Sequence, residues 1–469
     1  MEKTLARNAF YNVLYTAQNV LFPVITAAWL ARVLNPEGIG AVSCARNIVS
    51  YFTMFSLLGL PQYGMREVVR GKGNRDRLFS ELLLLGAAMA AVCAAGYFLL
   101  IRWLYPGDRV YLVLGLEVLF QLVNIEWLYQ GEADFAYITR RSISEKLITL
   151  VLIFLFVRDQ PDLAIYCLIS CLGKGWGHLW NLLRAPKYAK LTLRNLNVCR
   201  HLSPVLTLML GSMAASLYSK VDITMLDWLT DPASVGYYTN AHKVVNIVIA
   251  LTVAVSGVFL PRLSREYGTD SAGFRESVSL GLKIVLLLAL PCCAGLMLVA
   301  EDVTDVLFGP AFVPAAKTVR ILSPLVLVKG AGDMLCYQTL LSAGRERELI
   351  PAYLLAGAAN IALNSVLIPQ FGHNGAAAAS VISEVLVNAV LLKTALTIVK
   401  PKLGRRFCIA VLLGMSVMIL AVLAVQKWKA AGILLLTGSI AIGALAYFGT
   451  VVPILRSGKG ESIHEQPNR

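Results

Sequence analysis

NPEGIGAVSCARNIV at residues 35–49 and DPASVGYYTNAHKVV at residues 231–245 are two copies of one pattern, set 196 residues apart. Without a gap, Pro36 aligns with Pro232, Gly40 with Gly236, Ala45 with Ala241, and Ile48 and Val49 with Val244 and Val245. A few residues on, Leu60, Pro61, Arg66 and Glu67 match Leu260, Pro261, Arg265 and Glu266. Each copy lies in a long apolar segment. A membrane protein built from two similar halves places its substrate path between them. The repeat also sets a basic position at the same depth of each half: Arg46 in one, His242 and Lys243 in the other.

Composition points the same way. Of the 469 residues, 57% are hydrophobic and 15% charged, against about 45–50% and about 25% in soluble domains. Only helices and closed barrels satisfy the backbone inside a bilayer, and a spanning helix takes about 20 apolar residues. The apolar runs here are continuous rather than alternating, so helices are expected. The basic start MEKTLARN leads into an apolar segment that runs to Val33 without a small-residue cleavage site, so no signal peptide is expected.

The fold class expected is an all-α polytopic membrane protein with about 14 transmembrane helices. The spans fall at 9–31, 38–60, 79–101, 110–129, 146–157, 163–183, 204–226, 236–260, 279–299, 318–341, 349–368, 374–396, 407–425 and 431–452. The fifth is short and begins nearer Ser142. Pro36, Gly38, Gly40, Pro232 and Gly236 predict tight outer turns. The longest outer loop is 300–317, and no loop is large enough for a folded soluble domain.

Orientation follows from Lys and Arg near the span ends. With the N-terminus inside, the inner segments hold 29 of the 42 basic residues, the outer flanks hold 8, and 5 lie within spans. Both termini are therefore expected in the cytoplasm, with the chain multi-pass in a bacterial inner membrane. The net charge of +14 is spread over inner loops such as RGKGNRDR (70–77) and RAPKYAKLTLR (184–194), with no nucleic-acid fold to carry it. Contact of these loops with anionic membrane lipids is expected.

Nine cysteines lie in spans, at span edges or, for Cys199, in an inner loop, so no outer disulfide framework is expected. No His or carboxylate partners sit at ligand spacing around them, and neither a metal nor a cofactor is expected. No GxxxxGK[ST], HExxH, GxSxG or GxGxxG fingerprint occurs.

Candidate functional residues are the ionisable groups inside spans, each of which costs about 2.5–3.5 kcal/mol at a helix centre and so faces a pathway or a partner. They are Arg46, Glu117, Glu126, Lys174, His178, Lys220, Asp222, His242, Lys243, Lys329, Asp333 and Glu384. Arg46 and Lys243 lead, because they are near-equivalent in the repeat and two cations in one cavity form a receptor for a diphosphate. The competing reading is that each pairs with a carboxylate and fixes helix order. Lys220 and Asp222 are two apart and point to different faces, so they do not pair with each other. Lys220, His242 and Lys329 complete the candidate cavity cations. Asp222, Asp333 and Glu126 are the candidates for coupling to H+ or Na+. Lys329 and Asp333, four apart, are also placed to neutralise each other, and Glu126 to snorkel from the inner end of its span.

LNPEGIGAVSCARNIVSYF (34–52), LGLPQYGMREVVR (58–70) and EWLYQGEADFAYITRR (126–141) resemble the polysaccharide flippases of the Wzx type. These belong to the multidrug, oligosaccharidyl-lipid and polysaccharide exporter superfamily. KVDITMLDWLTDPASVGYYTNAHKVV (220–245), FLPRLSREY (259–267) and LSAGRERELIPAY (341–353) continue the likeness, which covers about residues 5–400. The resemblance implies two pseudo-symmetric six-helix bundles, 1–203 and 204–400, around a central cavity lined by basic residues. Two further helices at 401–452 and a cytoplasmic tail at 453–469 would follow. It implies export of a polyprenyl-diphosphate-linked oligosaccharide repeat unit for O-antigen, capsule or exopolysaccharide synthesis, driven by an ion gradient. Arg46 and Lys243 fit the cavity cations by position, and Asp222 fits an acidic position at the start of the second bundle. Other polysaccharide-assembly membrane proteins are expected partners. The two extra spans depart from the commonest twelve-span pattern and keep a cell-wall precursor open as substrate.

The alternatives make different demands. A multidrug antiporter carries cations and would place carboxylates at the repeat-matched positions. A membrane-bound polysaccharide polymerase or ligase would need a sizeable outer loop with catalytic residues. A non-transporting scaffold would give the intramembrane charges no function.

Overall fold

The computed structural model describes residues 2–57, 59–71, 74–428 and 432–457. Residues 458–469 of the expected tail, and Lys72 and Lys429 of the charge count, lie outside them. Among the described residues the chain is helical with no strand. Packing divides it into two units: Met1–Asp227 with Asp231–Gly236, and Trp228–Thr230 with Tyr237–Arg469.

The first unit contains α1 (Glu2–Leu57), α2 (Leu60–Arg70), α3 (Arg75–Leu104), α4 (Arg109–Leu114), α5 (Leu116–Leu119), α6 (Glu126–Gly131), α7 (Phe135–Phe156) and α8 (Leu163–Arg184). It also holds nearly all of α9 (Leu202–Leu229) and the start of α10 (Pro232–Glu266). The second unit contains the rest of α10, then α11 (Ser271–Leu298), α12 (Ala300–Phe308), α13 (Ala315–Leu322), α14 (Pro324–Gly332) and α15 (Thr339–Ser342). It ends with α16 (Leu349–Phe371), α17 (His373–Ile398), α18 (Arg405–Gln426) and α19 (Ile433–Arg456). Each expected apolar segment falls on helix, and eight helices among the described residues are long and apolar enough to cross a membrane.

Four local expectations change. The turn predicted over 36–40 shrinks to a break at one residue, Asn35, with φ 60° and ψ 172°. Asparagine is among the few side chains that tolerate positive φ, and Pro36 then opens the next helical segment with its fixed φ. The second copy opens differently. Asp231 precedes Pro232 and accepts from the Ser234 backbone N–H and hydroxyl, both at 2.9 Å, as a helix cap does. Secondly, 110–129 is not one helix. It breaks at Gly115, where a Cβ would sit 2.7 Å from the Tyr97 ring, and again at Asn124 and Ile125. The expected span 318–341 is likewise interrupted at Ser323 and Pro324 and passes through a π-helical turn at Asp333–Gln338. Thirdly, the expected outer loop 300–317 is mostly helical, because Val303, Thr304 and Phe308 of α12 fall on one buried face. Fourthly, the fifth span starts at Phe135, capped by Asp134, earlier than either 146 or Ser142.

The two copies of the repeat meet at their glycines. A Cβ on Gly40 would strike the carbonyl oxygen of Pro232, and one on Gly236 would strike that of Pro36. Both obstacles are backbone, so only glycine permits this reciprocal approach. Small residues serve similarly in the last pair of helices. Gly414 of α18 abuts Tyr447 of α19, and Gly443 abuts Val422. Gln426 ties that pair to α11 by donating to the Leu298 carbonyl at 2.9 Å.

Candidate functional site

In the first unit, the segment of α1 beyond Asn35 carries Arg46 towards α8. Its Nη2 donates to Ser170 Oγ at 2.5 Å, and the guanidinium lies 5.2 Å from the Tyr166 ring centroid. Its Nε is buried without a hydrogen-bond partner. Among the described residues Arg46 forms no direct ion pair. The pairing reading, in which a carboxylate fixes it, is therefore not what the first unit adopts. Glu117 instead accepts from Lys174 Nζ at 2.7 Å. Glu117 is buried in the broken segment, and Cys171 also turns its thiol towards it. Glu117 and Lys174 thus neutralise each other close to Arg46.

Lys220 enters the same region from α9. Its Nζ donates to Ser50 Oγ at 2.8 Å, one turn along α1 from Arg46. Asn47 joins the two helices by donating to Thr224 Oγ1 at 2.7 Å and to the Lys220 carbonyl at 3.3 Å. Tyr51 also reaches Thr224, at 2.9 Å. Asp222, two residues on from Lys220, is buried. The first unit therefore holds Arg46 on Ser170 and Tyr166, Lys220 on Ser50, and Lys174 on Glu117.

The second unit holds its own candidates. Lys243 Nζ donates to Asn240 Oδ1 at 3.0 Å, and His242 stacks on Tyr238 with its Nδ1 2.9 Å from Asn246 Nδ2. Lys329 does not pair with Asp333. It lies 3.4 Å from Glu384 of α17, while Asp333 accepts from Gln338 Nε2 at 3.1 Å. The physical reason is the π-helical turn that starts at Asp333, which moves its side chain off the i, i+4 face. Glu126 opens α6 and accepts from Arg141 Nη2 at 3.3 Å.

One charged centre is absent from the sequence reading. Glu81, fully buried near the start of α3, accepts from Arg77 Nε at 2.9 Å, the Asn197 backbone N–H at 2.6 Å and Arg200 Nη2 at 2.5 Å. His201 Nε2 lies 2.9 Å from it, and His201 Nδ1 lies 2.8 Å from the Tyr63 hydroxyl. This network fastens the long connector before α9 to α2 and α3. The only signal for it was a glutamate just inside an expected span, opposite a basic loop.

The motifs that carried the resemblance also meet here. Gly64 of α2 lies against the Trp127 ring, and Gly131 of α6 against Val68. LGLPQYGMREVVR and EWLYQGEADFAYITRR are thus the two sides of one helix packing, with Tyr63, Val68, Trp127, Leu128 and Tyr129 in its core.

These features define a multi-pass helical membrane protein with the fold of the superfamily of multidrug, oligosaccharidyl-lipid and polysaccharide exporters. One closely matching solved fold is that of lipid II flippase MurJ in an inward closed conformation, with a TM-score of 0.78 at 13% identity over 96% of this chain and 99% of that one. An inward-facing multidrug resistance MATE family transporter of the MOP superfamily matches with a TM-score of 0.67 at 15% identity, over 81% and 94%. The chain belongs to the family described as "Polysaccharide biosynthesis protein", which matches residues 5–266, and the "Lipid II flippase MurJ" family matches residues 148–442. Among curated relatives, a protein of Escherichia coli (strain K12) named as an O-antigen transporter is 24% identical over 83% of this chain and 96% of its own length. The succinoglycan biosynthesis transport protein ExoT of Rhizobium meliloti (strain 1021) is 24% identical over 70% and 67%.

Proposed function

We propose that this chain flips a polyprenyl-diphosphate-linked oligosaccharide repeat unit across the cytoplasmic membrane for the synthesis of a surface polysaccharide such as O-antigen, capsule or exopolysaccharide. The observation that carries this reading is the setting of Arg46. Its guanidinium is held by a hydroxyl and an aromatic face instead of a carboxylate, and Nε keeps an unpartnered donor. A cation held by neutral partners keeps its charge for an incoming anion, and a diphosphate in a bilayer needs such counter-charges. The family match and the named relatives support a glycolipid cargo.

In this reading Arg46 and Lys220 of the first unit, and Lys243 with His242 and Lys329 of the second, receive the diphosphate or acidic sugars. Asp222, Asp333 and Glu126 are the groups through which a proton or sodium gradient drives alternating access. The chain crosses the membrane fourteen times with both termini in the cytoplasm, as two pseudo-symmetric bundles of six helices, 1–203 and 204–400, followed by the pair at 401–452. Its working partners are the membrane lipids and the other membrane proteins of polysaccharide assembly.

The reading is tested in cells that depend on this chain for export. Arg46→Ala and Lys243→Ala are each expected to abolish surface polysaccharide while lipid-linked repeat units accumulate and membrane abundance stays normal. Full export in both variants would overturn the assignment of these cations.

A further inference from the structure

A groove separate from the surroundings of Arg46 lies along α7 and α8. Leu147, Val151 and Phe154 of α7 and Leu168, Leu172 and Leu179 of α8 are all exposed at helical spacing. Two packed helices with such stripes present a face to hydrocarbon rather than to water. Two hollows run along this face. One, of about 570 Å³, is lined by Tyr137, Arg140, Arg141, Ser144, Trp180 and Arg184 among others. The other, of about 340 Å³, is lined by Phe120, Leu152, Ile169, Leu172 and Leu179. Glu145, Ile148 and Trp176 line both, so a polar end runs directly into an apolar one. That is the shape of an amphiphile.

The polar end is built rather than incidental. Arg184 lies 4.0 Å from the Tyr137 ring centroid and donates to Asp134 at 3.3 Å. The Arg141 side chain is only 9% exposed. It is held by Glu126 at 3.3 Å and Glu145 at 3.9 Å, with its Nε unpartnered. Arg140 is exposed beside them and donates to the Tyr11 hydroxyl at 3.3 Å. Trp176 and Trp180, with ring centroids 5.6 Å apart, flank this end and are about half exposed. Tryptophans of this kind mark headgroup depth, and basic pockets between helices bind phosphate headgroups.

We propose that this groove holds an anionic glycerophospholipid, with its phosphodiester on Arg140 and Arg184, its glycerol region beside Trp176 and Trp180, and an acyl chain in the apolar hollow. Charge selects this occupant. Arg141 is answered by Glu126 and Glu145, and Arg184 by Asp134, whereas Arg140 forms no ion pair among the described residues and donates to the Tyr11 hydroxyl, which leaves it as the cation of the lining open to an anion. That one charge balances a phosphodiester, whereas a diphosphate would require further cations. The groove is also distinct from the Arg46 site, because Tyr166 and Ser170 line neither hollow.

The test places the full-length protein in phosphatidylcholine nanodiscs doped with brominated phosphatidylglycerol or with brominated phosphatidylcholine, and reads quenching of tryptophan emission. The anionic lipid is expected to be enriched about fivefold at the protein, the attraction of one basic charge for an anionic lipid. Trp176→Phe with Trp180→Phe should remove the headgroup-dependent part of the quenching. Arg140→Gln with Arg184→Gln should reduce quenching to the phosphatidylcholine level, and Arg140→Gln alone, at an exposed position, should lower it without disturbing the fold. Equal quenching by both lipids in the unmodified protein would overturn the proposal. So would a preference that survives the tryptophan or the arginine pair. Displacement of phosphatidylglycerol by an equimolar polyprenyl phosphate would assign the groove to the cargo lipid and overturn the phospholipid assignment.

Discussion

Arg46, half-buried, and Glu81, fully buried, show how a charge among helices can be kept available or used up. Arg46 rests on Ser170 and Tyr166, which orient the guanidinium without neutralising it. Arg46→Lys keeps the charge but gives up the planar fork and the stacking. Translocation by this variant is expected to fall about tenfold or more, the equivalent of one lost hydrogen bond to a charged group, at unchanged abundance. Normal turnover by the lysine variant would mean that charge alone suffices. Glu81 is the opposite case. Two arginines, a histidine and a backbone N–H consume its acceptor capacity. Glu81→Ala would strand those donors, and breaking a buried pair costs about 3–5 kcal/mol. The expected result is a clearly lower unfolding temperature in detergent, with conservative Glu81→Gln in between. An unchanged midpoint for the alanine variant would show that the connector is held elsewhere.

At the scale of elements, helix positions were legible because apolar runs of about 20 residues have few competing explanations. Breaks within them were not. Gly115 and Asn124 are tolerated within helices at a modest cost, and the break at Gly115 goes with its packing against the Tyr97 ring, whereas the one after Ser323 is set by Pro324, which has no backbone N–H. The same blindness explains Lys329. Its spacing to Asp333 reads as a neutral pair on a regular helix, and the π-helical turn removes that geometry. Glu117 and Lys174 were visible as isolated charges on separate spans, but their meeting at 2.7 Å is a tertiary fact. The repeat was legible, and its glycines now have a physical reason. Gly40→Ala or Gly236→Ala would drive a methyl group into a proline carbonyl, an overpacking cost of about 1–3 kcal/mol. Each should lower thermal stability. A control, Gly357→Ala on α16, where a Cβ meets nothing, should not. Equal behaviour of the three would show that the close approach carries no weight.

For the whole molecule, the family and the fold were legible from motifs spread over most of the chain, and the exporter fold bears that out. The candidate site was legible only as a set of intramembrane charges. Which cation lacks a carboxylate partner depends on helices distant in sequence, and no spacing rule reaches across α1, α8 and α9. The central claim is that Arg46, held by a hydroxyl and an aromatic ring, receives the diphosphate of a lipid passing through the membrane. Its most direct test is translocation in proteoliposomes carrying this protein and a polyprenyl-diphosphate oligosaccharide, followed by an external sugar-modifying enzyme with and without a pH or sodium gradient. The account predicts headgroup exposure that depends on the protein, rises with a gradient and is lost in Arg46→Ala. Headgroup exposure indifferent to Arg46→Ala, or no exposure alongside efflux of a cationic dye, would contradict it.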